Sequence, residues 1–360
     1  MDNRLEDLIL EAHSLPEGKA KLLLLEEVAR MADSQNDIET GFNIRKEIVR
    51  QGMFNGHHLN AITAFSWRLA CCEKYPQEFD ISNLLWEYKW IVNLVYLFPD
   101  VPKDKIEQLF EDMKNKYNQE GASLRPYYCM KCKYLFGSGF GEMAEEYYSK
   151  WINSPRDSYS DCKACDVDNQ VYYLLYTKNY EKALDIVQPI LLRRLSCAEV
   201  PHITYNRLLL PLLELGRLDD AQSFHEKGYK LIHKNKGFLE YMGNHLLYLT
   251  ITDVNMALNV FEKHFQWAFD TLTLYYKFDF YLASWVMFLK LKKIGKDDVK
   301  VHLQKDCNII EKYNLNTIED ILAWFEKQTR DMANKFNTRN GNDYFNIMIQ
   351  DKLKLVDFQP

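Results

Sequence analysis

Glycine and proline are both scarce in this chain, with 14 and 10 residues among 360. A β-rich or loop-rich protein needs more of these turn formers, so their scarcity favours helices. No apolar run approaches the roughly 20 residues that a membrane-spanning helix needs, and the longest run, Trp90 to Leu97, is far too short. The amino-terminal segment, Met1 to Leu8, lacks the basic start and apolar core of a signal peptide. We therefore expect a cytoplasmic protein without a membrane partner.

An excess of positive charge is also lacking. The formal charge is −6 and mixed in sign, which disfavours a nucleic-acid partner because such proteins carry a basic patch. The nucleophile-elbow, P-loop and dinucleotide-binding glycine motifs do not occur in the sequence, so the sequence predicts no catalytic residues and no enzyme. Eight cysteines are too few for a disulfide scaffold of this length.

The strongest positive signal is an internal repeat that is marked by an alanine. Four segments align on it, each after a short turn and before an apolar pattern of helical spacing: Gly141-Glu142-Met143-Ala144, Tyr180-Glu181-Lys182-Ala183, Leu218-Asp219-Asp220-Ala221 and Val254-Asn255-Met256-Ala257. The alanines stand 39, 38 and 36 residues apart, close to the roughly 34-residue period of helix-pair repeats. We predict that the small side chain lets the second helix of each pair cross the first at short distance.

Two of these segments, Tyr176–Leu184 and Leu213–Ala221, resemble the turn and second helix of the tetratricopeptide (TPR) family. The resemblance covers about residues 124–270, although the first helices lack the family's tryptophan. It implies an all-α fold, a superhelical solenoid of TPR-like helix pairs. It also implies a non-enzymatic scaffold or adaptor that binds a protein or peptide partner.

The helical signals continue on both sides of the repeats. We predict divergent helical pairs over residues 1–120, TPR-like repeats with cysteine-rich inter-repeat loops over 121–270, and a C-terminal helical cap over 271–360. Ser14–Glu17 and Thr317–Asp320 both read as capping boxes that open helices.

The cysteines suggest a metal site at one edge of the solenoid. Cys162 and Cys165 form a C-x-x-C pair in a polar loop before a helix, and Cys197 and His202 lie in the next inter-repeat loop. Successive loops of this kind stack on the same edge, with neighbouring repeats about 10 Å apart. Three thiolates and one imidazole would make a tetrahedral, structural zinc site.

Two alternatives remain open for these cysteines. A second C-x-x-C pair, Cys129 and Cys132, replaces Cys197 and His202 in a rival ligand set, although the 29 residues between the pairs exceed the usual spacing of about 15–20. The other alternative is that the cysteines are small apolar side chains without a metal.

Alignment on the repeat alanine places four polar or aromatic residues on the inner face of first helices: Asp168, Tyr172, Asn206 and Arg207. Asparagine and arginine in that position would clamp a peptide carboxylate or backbone. The alternative is an ordinary solvated face.

A further resemblance joins three segments, Asp161-Cys-x-Ala-Cys165, Leu195-x-Cys197 and Phe336-x-x-Arg339-Asn340-Gly341, to a group of bacterial TPR-like proteins, to which we attach no activity. Two other functions stay open beside the scaffold. The first is a regulatory protein that senses a peptide or ligand, and the second is a metal-dependent enzyme built on a helical solenoid.

Overall fold

The computed structural model of the chain describes residues 3–296, 298, 300–303 and 309–359. These residues form helices and their connections, without a β-strand, so the all-α class is confirmed. The helices are α1 (Asn3–Ser14), α2 (Lys19–Ser34), α3 (Ile38–Phe54), α4 (His58–Lys74), α5 (Ser82–Val95), α6 (Lys103–Gln119), α7 (Arg125–Gly137), α8 (Gly141–Asn153), α9 (Lys163–Tyr176), α10 (Tyr180–Ile186), α11 (Gln188–Leu191), α12 (His202–Glu214), α13 (Leu218–Ile232), α14 (Leu239–Thr252), α15 (Val254–Asp270), α16 (Leu274–Lys293), α17 (Ile309–Lys312), α18 (Ile318–Asn340) and α19 (Tyr344–Leu353). None of the helices in these ranges is both long enough and apolar enough to cross a bilayer.

The helices from α7 to α16 pack in a regular order. Helices α7, α9, α12, α14 and α16 each contact the next member of that series, and we call them the inner helices because most of them line the interior cavities described below. Helices α8, α10, α13 and α15 each pack on the inner helix that precedes them in the chain. The chain thus alternates between an inner and an outer row.

The four repeat alanines lie on the outer helices and are fully buried. Ala144, Ala183, Ala221 and Ala257 are each 0% exposed. Protein interiors are packed as densely as organic crystals, so a larger side chain at these positions would displace the neighbouring helix. The alanine pattern in the sequence therefore marks buried positions of the outer row.

The two capping boxes that the sequence suggests have different outcomes. Thr317 Oγ1 accepts a hydrogen bond from Asp320 N at 3.1 Å, and Asp320 Oδ2 accepts one from Thr317 N at 3.0 Å, so this box is confirmed. The box predicted at Ser14 is wrong, because Ser14 ends α1 and its Oγ donates to Glu11 O at 2.7 Å. Glu17, the other half of that box, pairs instead with Arg50 at 2.9 Å.

The C-terminal helices dock on the turn between α7 and α8. Asn340 Nδ2 and Asn342 Nδ2 both donate to Ser138 O, at 3.1 and 2.8 Å. The adjacent Gly139 has a left-handed backbone, with φ of 85°, and lies so close to Tyr344 that an added Cβ would overlap the Tyr344 side chain. This turn therefore requires glycine for two separate reasons.

Further contacts join distant parts of the chain. Arg339 Nη1 donates to Tyr96 O at 2.8 Å and to Phe98 O at 3.1 Å, and it thus ties the end of α18 to the segment after α5. His58 Nδ1 lies 2.7 Å from Thr273 Oγ1 and joins the start of α4 to the start of α16. These contacts join α4 and the segment after α5 to helices near the end of the chain, around the interior cavities.

Substitution of Gly139 tests the docking of the C-terminal helices. Gly216→Ala is the matched control, because Gly216 also has a left-handed φ, of 69°, but nothing within 4 Å of an added Cβ. We expect Gly216→Ala to lower the free energy of unfolding by about 1–2 kcal/mol through backbone strain alone. Gly139→Ala is expected to cost about 1–3 kcal/mol more, because the new methyl group overlaps Tyr344.

The measurement is urea unfolding of both variants, together with limited proteolysis of the segment after Gly341. Only Gly139→Ala should make that segment more sensitive to protease. Equal losses of stability in the two variants would contradict the close contact.

Candidate functional site: a thiol cluster beside an inner cleft

Three cysteine side chains come together at one edge of the inner row. The Sγ atoms of Cys162, Cys165 and Cys197 all lie within 4.8 Å of one another, and the Sγ atoms of Cys165 and Cys197 are 3.3 Å apart. Cys162 is exposed, and the other two are half-buried. This cluster could hold a metal ion, as the sequence suggested for these three residues.

Local backbone geometry directs hydrogen bonds at two of the sulfur atoms. Cys162 is the N-cap of α9, and its Sγ accepts from Cys165 N at 3.4 Å. The contact between Cys165 Sγ and Cys197 Sγ lowers the pKa of Cys197, to which the backbone N–H groups of Glu199 and Val200 add, and the same contact raises the pKa of Cys165. Donors of this kind stabilise the charged form of a thiol. Cys197 is therefore the member of this pair that ionises more readily.

A buried carboxylate fixes the start of α9 and hence the C-x-x-C pair. Asp166 follows Cys165 and accepts hydrogen bonds from Arg125 Nη2 at 2.8 Å and from Trp151 Nε1 at 3.2 Å. Arg156 Nη1 approaches the same carboxylate at 3.0 Å. Charge-assisted bonds from two arginines make this one of the strongest local restraints in the fold.

A buried lysine binds the polar loop that precedes α9. Lys89 on α5 is 1% exposed, and its Nζ lies 2.7 Å from Asp161 Oδ1 and 2.9 Å from Tyr159 O. The same ammonium lies 3.2 Å from the centre of the Trp86 ring. Because this lysine is buried and fully engaged, the loop that carries Cys162 is fixed before any metal binds.

The other proposed ligands lie elsewhere. His202 is not part of the thiol cluster; its ring stacks on Phe238 at 5.8 Å, and burial lowers its pKa. Cys129 and Cys132 are 3% and 0% exposed on α7, outside the cluster, where burial raises the pKa of both thiols. Neither predicted four-ligand set is therefore assembled as a whole.

The four residues predicted for the inner face lie together, but two of them already bind each other. Arg207 forms an ion pair with Asp168, which also accepts from Thr204 Oγ1 at 2.6 Å. The Arg207 guanidinium lies 4.2 Å from the centre of the Tyr172 ring. Asp168 is 0% exposed and supports the arginine from the wall of the neighbouring cavity described below. Asn206 is 2% exposed, and its Oδ1 has no hydrogen-bond partner among the described residues.

Beside this group is a cavity of about 600 Å³, which we call the inner cleft. It is lined by side chains from α9, α12, α14, α16 and α19, among them Tyr172, Asn206 and Arg207. Its mouth is formed by exposed residues, namely Lys178, Glu214, Ile347, Asp351 and Lys354. Its size and mixed aromatic and polar lining are typical of sites that bind small molecules or short peptides.

A second cavity, of about 320 Å³, is lined by the three cysteines, and we call it the thiol cavity. The two cavities have five lining residues in common: Tyr172, Arg207, Glu240, Tyr241 and Tyr275. The Arg207–Asp168 pair therefore stands at the junction between the thiol cluster and the inner cleft.

Two acidic residues of the inner cleft were not predicted from the sequence. Glu240 lines both cavities, and Asp279 lines the inner cleft, where burial and the charge of Glu240 raise the pKa of Asp279 to about 8. The one available signal was that Asp279 is the only acidic residue in the aromatic helix α16. Periodicity places such a residue on a helix face but does not show which neighbours surround it.

Comparison with models of known families, with curated proteins and with solved structures finds no match for this chain. The chemistry of the site is therefore argued from its own geometry.

The ion pair between Arg207 and Asp168 predicts a large loss of stability when the charge of Asp168 is removed. Asp168→Asn leaves the Arg207 guanidinium buried without its direct anionic partner, so we expect a loss of about 3–5 kcal/mol in the free energy of unfolding. The control is Asp331→Asn, which breaks an exposed pair with Lys327 one helical turn away and should cost under about 0.5 kcal/mol. Chemical denaturation at pH 7 measures both variants. A loss below 1 kcal/mol for Asp168→Asn would mean that the pair is not the restraint described here.

Proposed function

We propose that this chain is a non-enzymatic, TPR-like helical-repeat protein that binds a short peptide, either free or as a segment of a partner protein, in the inner cleft. The observation that carries the proposal is the cleft itself, a cavity of about 600 Å³ formed by side chains from successive inner helices. Concave faces of stacked helix pairs are the binding surfaces of repeat proteins. The alternation of inner and outer helices and the buried repeat alanines support the TPR-like solenoid.

Asn206 supports a peptide as the occupant. A buried side-chain amide without a partner is costly in the free protein, and its cost is removed when a ligand supplies the missing hydrogen bond. A peptide backbone offers the N–H and C=O groups that an amide side chain binds. The tyrosines of the cleft add aromatic surface at low cost in conformational entropy.

We propose binding and not catalysis for this cleft. The Arg207 guanidinium, which lines this cleft, forms an ion pair with Asp168 and stacks on Tyr172. These two contacts hold the arginine side chain in place. Such an arrangement positions a ligand but leaves neither member of the pair free to exchange a proton with it.

A sensing role is the second candidate, and the position of α19 favours it. Residues of α19 form one wall of the inner cleft, while the segment before it is held by Ser138 and Gly139 at the turn between α7 and α8. A ligand that fills the cleft therefore touches both the repeats and the C-terminal helices. A ligand bound in the cleft would change how tightly α19 packs against the inner helices. A partner protein could then bind preferentially to the ligand-bound form.

For the thiol cluster we propose a structural zinc ion. Three thiolates from Cys162, Cys165 and Cys197 would supply three of the four ligands of a tetrahedral site. His202, the expected fourth ligand, lies outside the cluster, so a closed, structural site would take its fourth ligand from another protein group that lines the thiol cavity. The ion would join α9 to the loop before α12, across the junction between two repeats.

The zinc proposal predicts a defined metal content and ligand set. We expect one zinc ion per chain by elemental analysis, and X-ray absorption should give three sulfur ligands at about 2.3 Å with one nitrogen or oxygen ligand. Cys165→Ala should abolish zinc binding. Cys129→Ala, in the other C-x-x-C motif, is the matched control and should retain the metal, because Cys129 lies outside the cluster. Retained zinc in Cys165→Ala would rule out this site, and four sulfur ligands would contradict the proposed ligand set.

The peptide proposal predicts that Asn206→Leu weakens peptide binding without lowering the stability of the fold. Because Leu is similar in size and the Asn206 Oδ1 atom has no partner, the variant should be at least as stable as the parent protein in thermal unfolding. Binding should nevertheless weaken about tenfold or more, since a peptide hydrogen bond is lost.

The measurement is selection from a random hexapeptide display library, followed by titration of the selected peptides with both proteins. Asn259→Leu, on the outer helix α15, is the control and should bind like the parent protein. If selection yields no saturable peptide, or if Asn206→Leu binds the selected peptides as tightly, the inner cleft is not the peptide site.

A further inference from the structure

Asp279 is an acidic residue of the inner cleft whose carboxyl group lacks a direct partner among the described residues. It lies on α16 and lines the cleft, but among the described residues its carboxylate has neither a hydrogen bond nor an ion pair. The backbone at this point is held close to α14, because a Cβ on Gly243 would lie 3.2 Å from Asp279 O. The backbone of Asp279 is therefore closely packed, and its carboxyl group lies at the wall of the cavity.

Nearby charges do not supply the missing partner. Glu240 on α14 lines the same cleft and lies near Tyr276, where burial first and the charge of Glu240 second raise the pKa of the Tyr276 hydroxyl. Arg207 is already paired with Asp168. Lys352 on α19 attracts Asp279 through the cavity, but the two form no direct ion pair. Because burial and the charge of Glu240 raise the pKa of Asp279 to about 8, its carboxyl group is mostly protonated at pH 7 while the cleft is empty. A positive group bound beside it would favour the charged form and supply the missing partner.

The aromatic lining favours the same kind of occupant. Six tyrosines line the inner cleft: Tyr172, Tyr176, Tyr180, Tyr241, Tyr275 and Tyr344. The face of an aromatic ring carries negative potential and attracts ammonium and guanidinium groups, most strongly where water is excluded. Asn206, which is 2% exposed and lacks a partner for its Oδ1, lines the same cavity and independently indicates a polar ligand.

We propose that the inner cleft selects ligands that carry a protonated amine or a guanidinium, and that this group binds between Asp279 and Glu240 against the tyrosine rings. The proposal rests on the peptide-binding function proposed above and specifies its chemistry. In a peptide the positive charge comes from the amino terminus or from a lysine or arginine side chain. Both sources present the same hydrogen-bond donors to a carboxylate.

Four tetrapeptide pools separate the two sources of charge. The pools combine two choices: arginine or its neutral analogue citrulline, and a free or an acetylated amino terminus. Binding of each pool to the full-length protein is measured by calorimetric titration at pH 7. We expect every pool that carries a positive group to bind at least tenfold more tightly than the acetylated citrulline pool. Tight binding of only one charged type would also support the proposal and would identify the source of the charge.

Asp279→Asn tests the carboxylate directly. This variant keeps the shape of the side chain but cannot form the carboxylate that a bound positive group favours, so the charged pools should lose at least tenfold in affinity while the uncharged pool should not change. Asp185→Asn is the matched control, because Asp185 is an exposed residue of α10 outside the inner cleft. Thermal unfolding checks that both variants are folded; should Asp279→Asn unfold, the comparison of the four pools on the parent protein decides the question.

The possible failures can be told apart. If the acetylated citrulline pool binds as tightly as the charged pools, and Asn206→Leu weakens it, the peptide function stands and the preference for a cation is wrong. If no pool binds and display selection also yields no peptide, the peptide function itself fails, and the cation preference fails with it.

Discussion

The buried ion pair between Arg207 and Asp168 is the interaction on which the two sites of this protein depend. It joins α12 to α9 at the place where the inner cleft and the thiol cavity share their walls. Two charges removed from water are tolerated only when their geometry and hydrogen bonds are good, and here Thr204 and the Tyr172 ring complete the arrangement. Because α9 begins with the C-x-x-C pair, the same contact also fixes where Cys162 is presented.

Around this pair the helices are held by contacts between residues far apart in the chain. The end of α18 binds the carbonyl groups of Tyr96, Phe98 and Ser138, so the C-terminal helices are fastened to the middle of the protein. This docking gives the inner cleft its last wall, which α19 supplies. An open row of repeats would offer a groove, whereas the docked C-terminal helices convert that groove into a cavity with a mouth.

The thiol cluster and the inner cleft are neighbouring parts of one interior and not separate sites. A metal ion held by Cys165 and Cys197 would lock α9 against the loop that leads into α12. Both helices carry residues of the cleft, so the ion would limit how far its walls can move. Pre-organisation of this kind improves affinity because less conformational entropy is lost when the ligand binds.

Local features of the structure were determined by the sequence alone. Three features depend on neighbours within one or two helical turns: the helical class, the buried repeat alanines and the capping box of Thr317 and Asp320. Such short-range patterns can be recognised in the amino-acid sequence. For the C-x-x-C pair of Cys162 and Cys165 the sequence left two sets of partners open, and the structure brings Cys197 and not the second C-x-x-C pair beside it. Only the tertiary structure decided that His202 is left outside that cluster and that Asp279 faces a cavity without a partner. Both outcomes depend on how helices distant in the chain pack against each other, and helix periodicity does not encode the burial and charge that result.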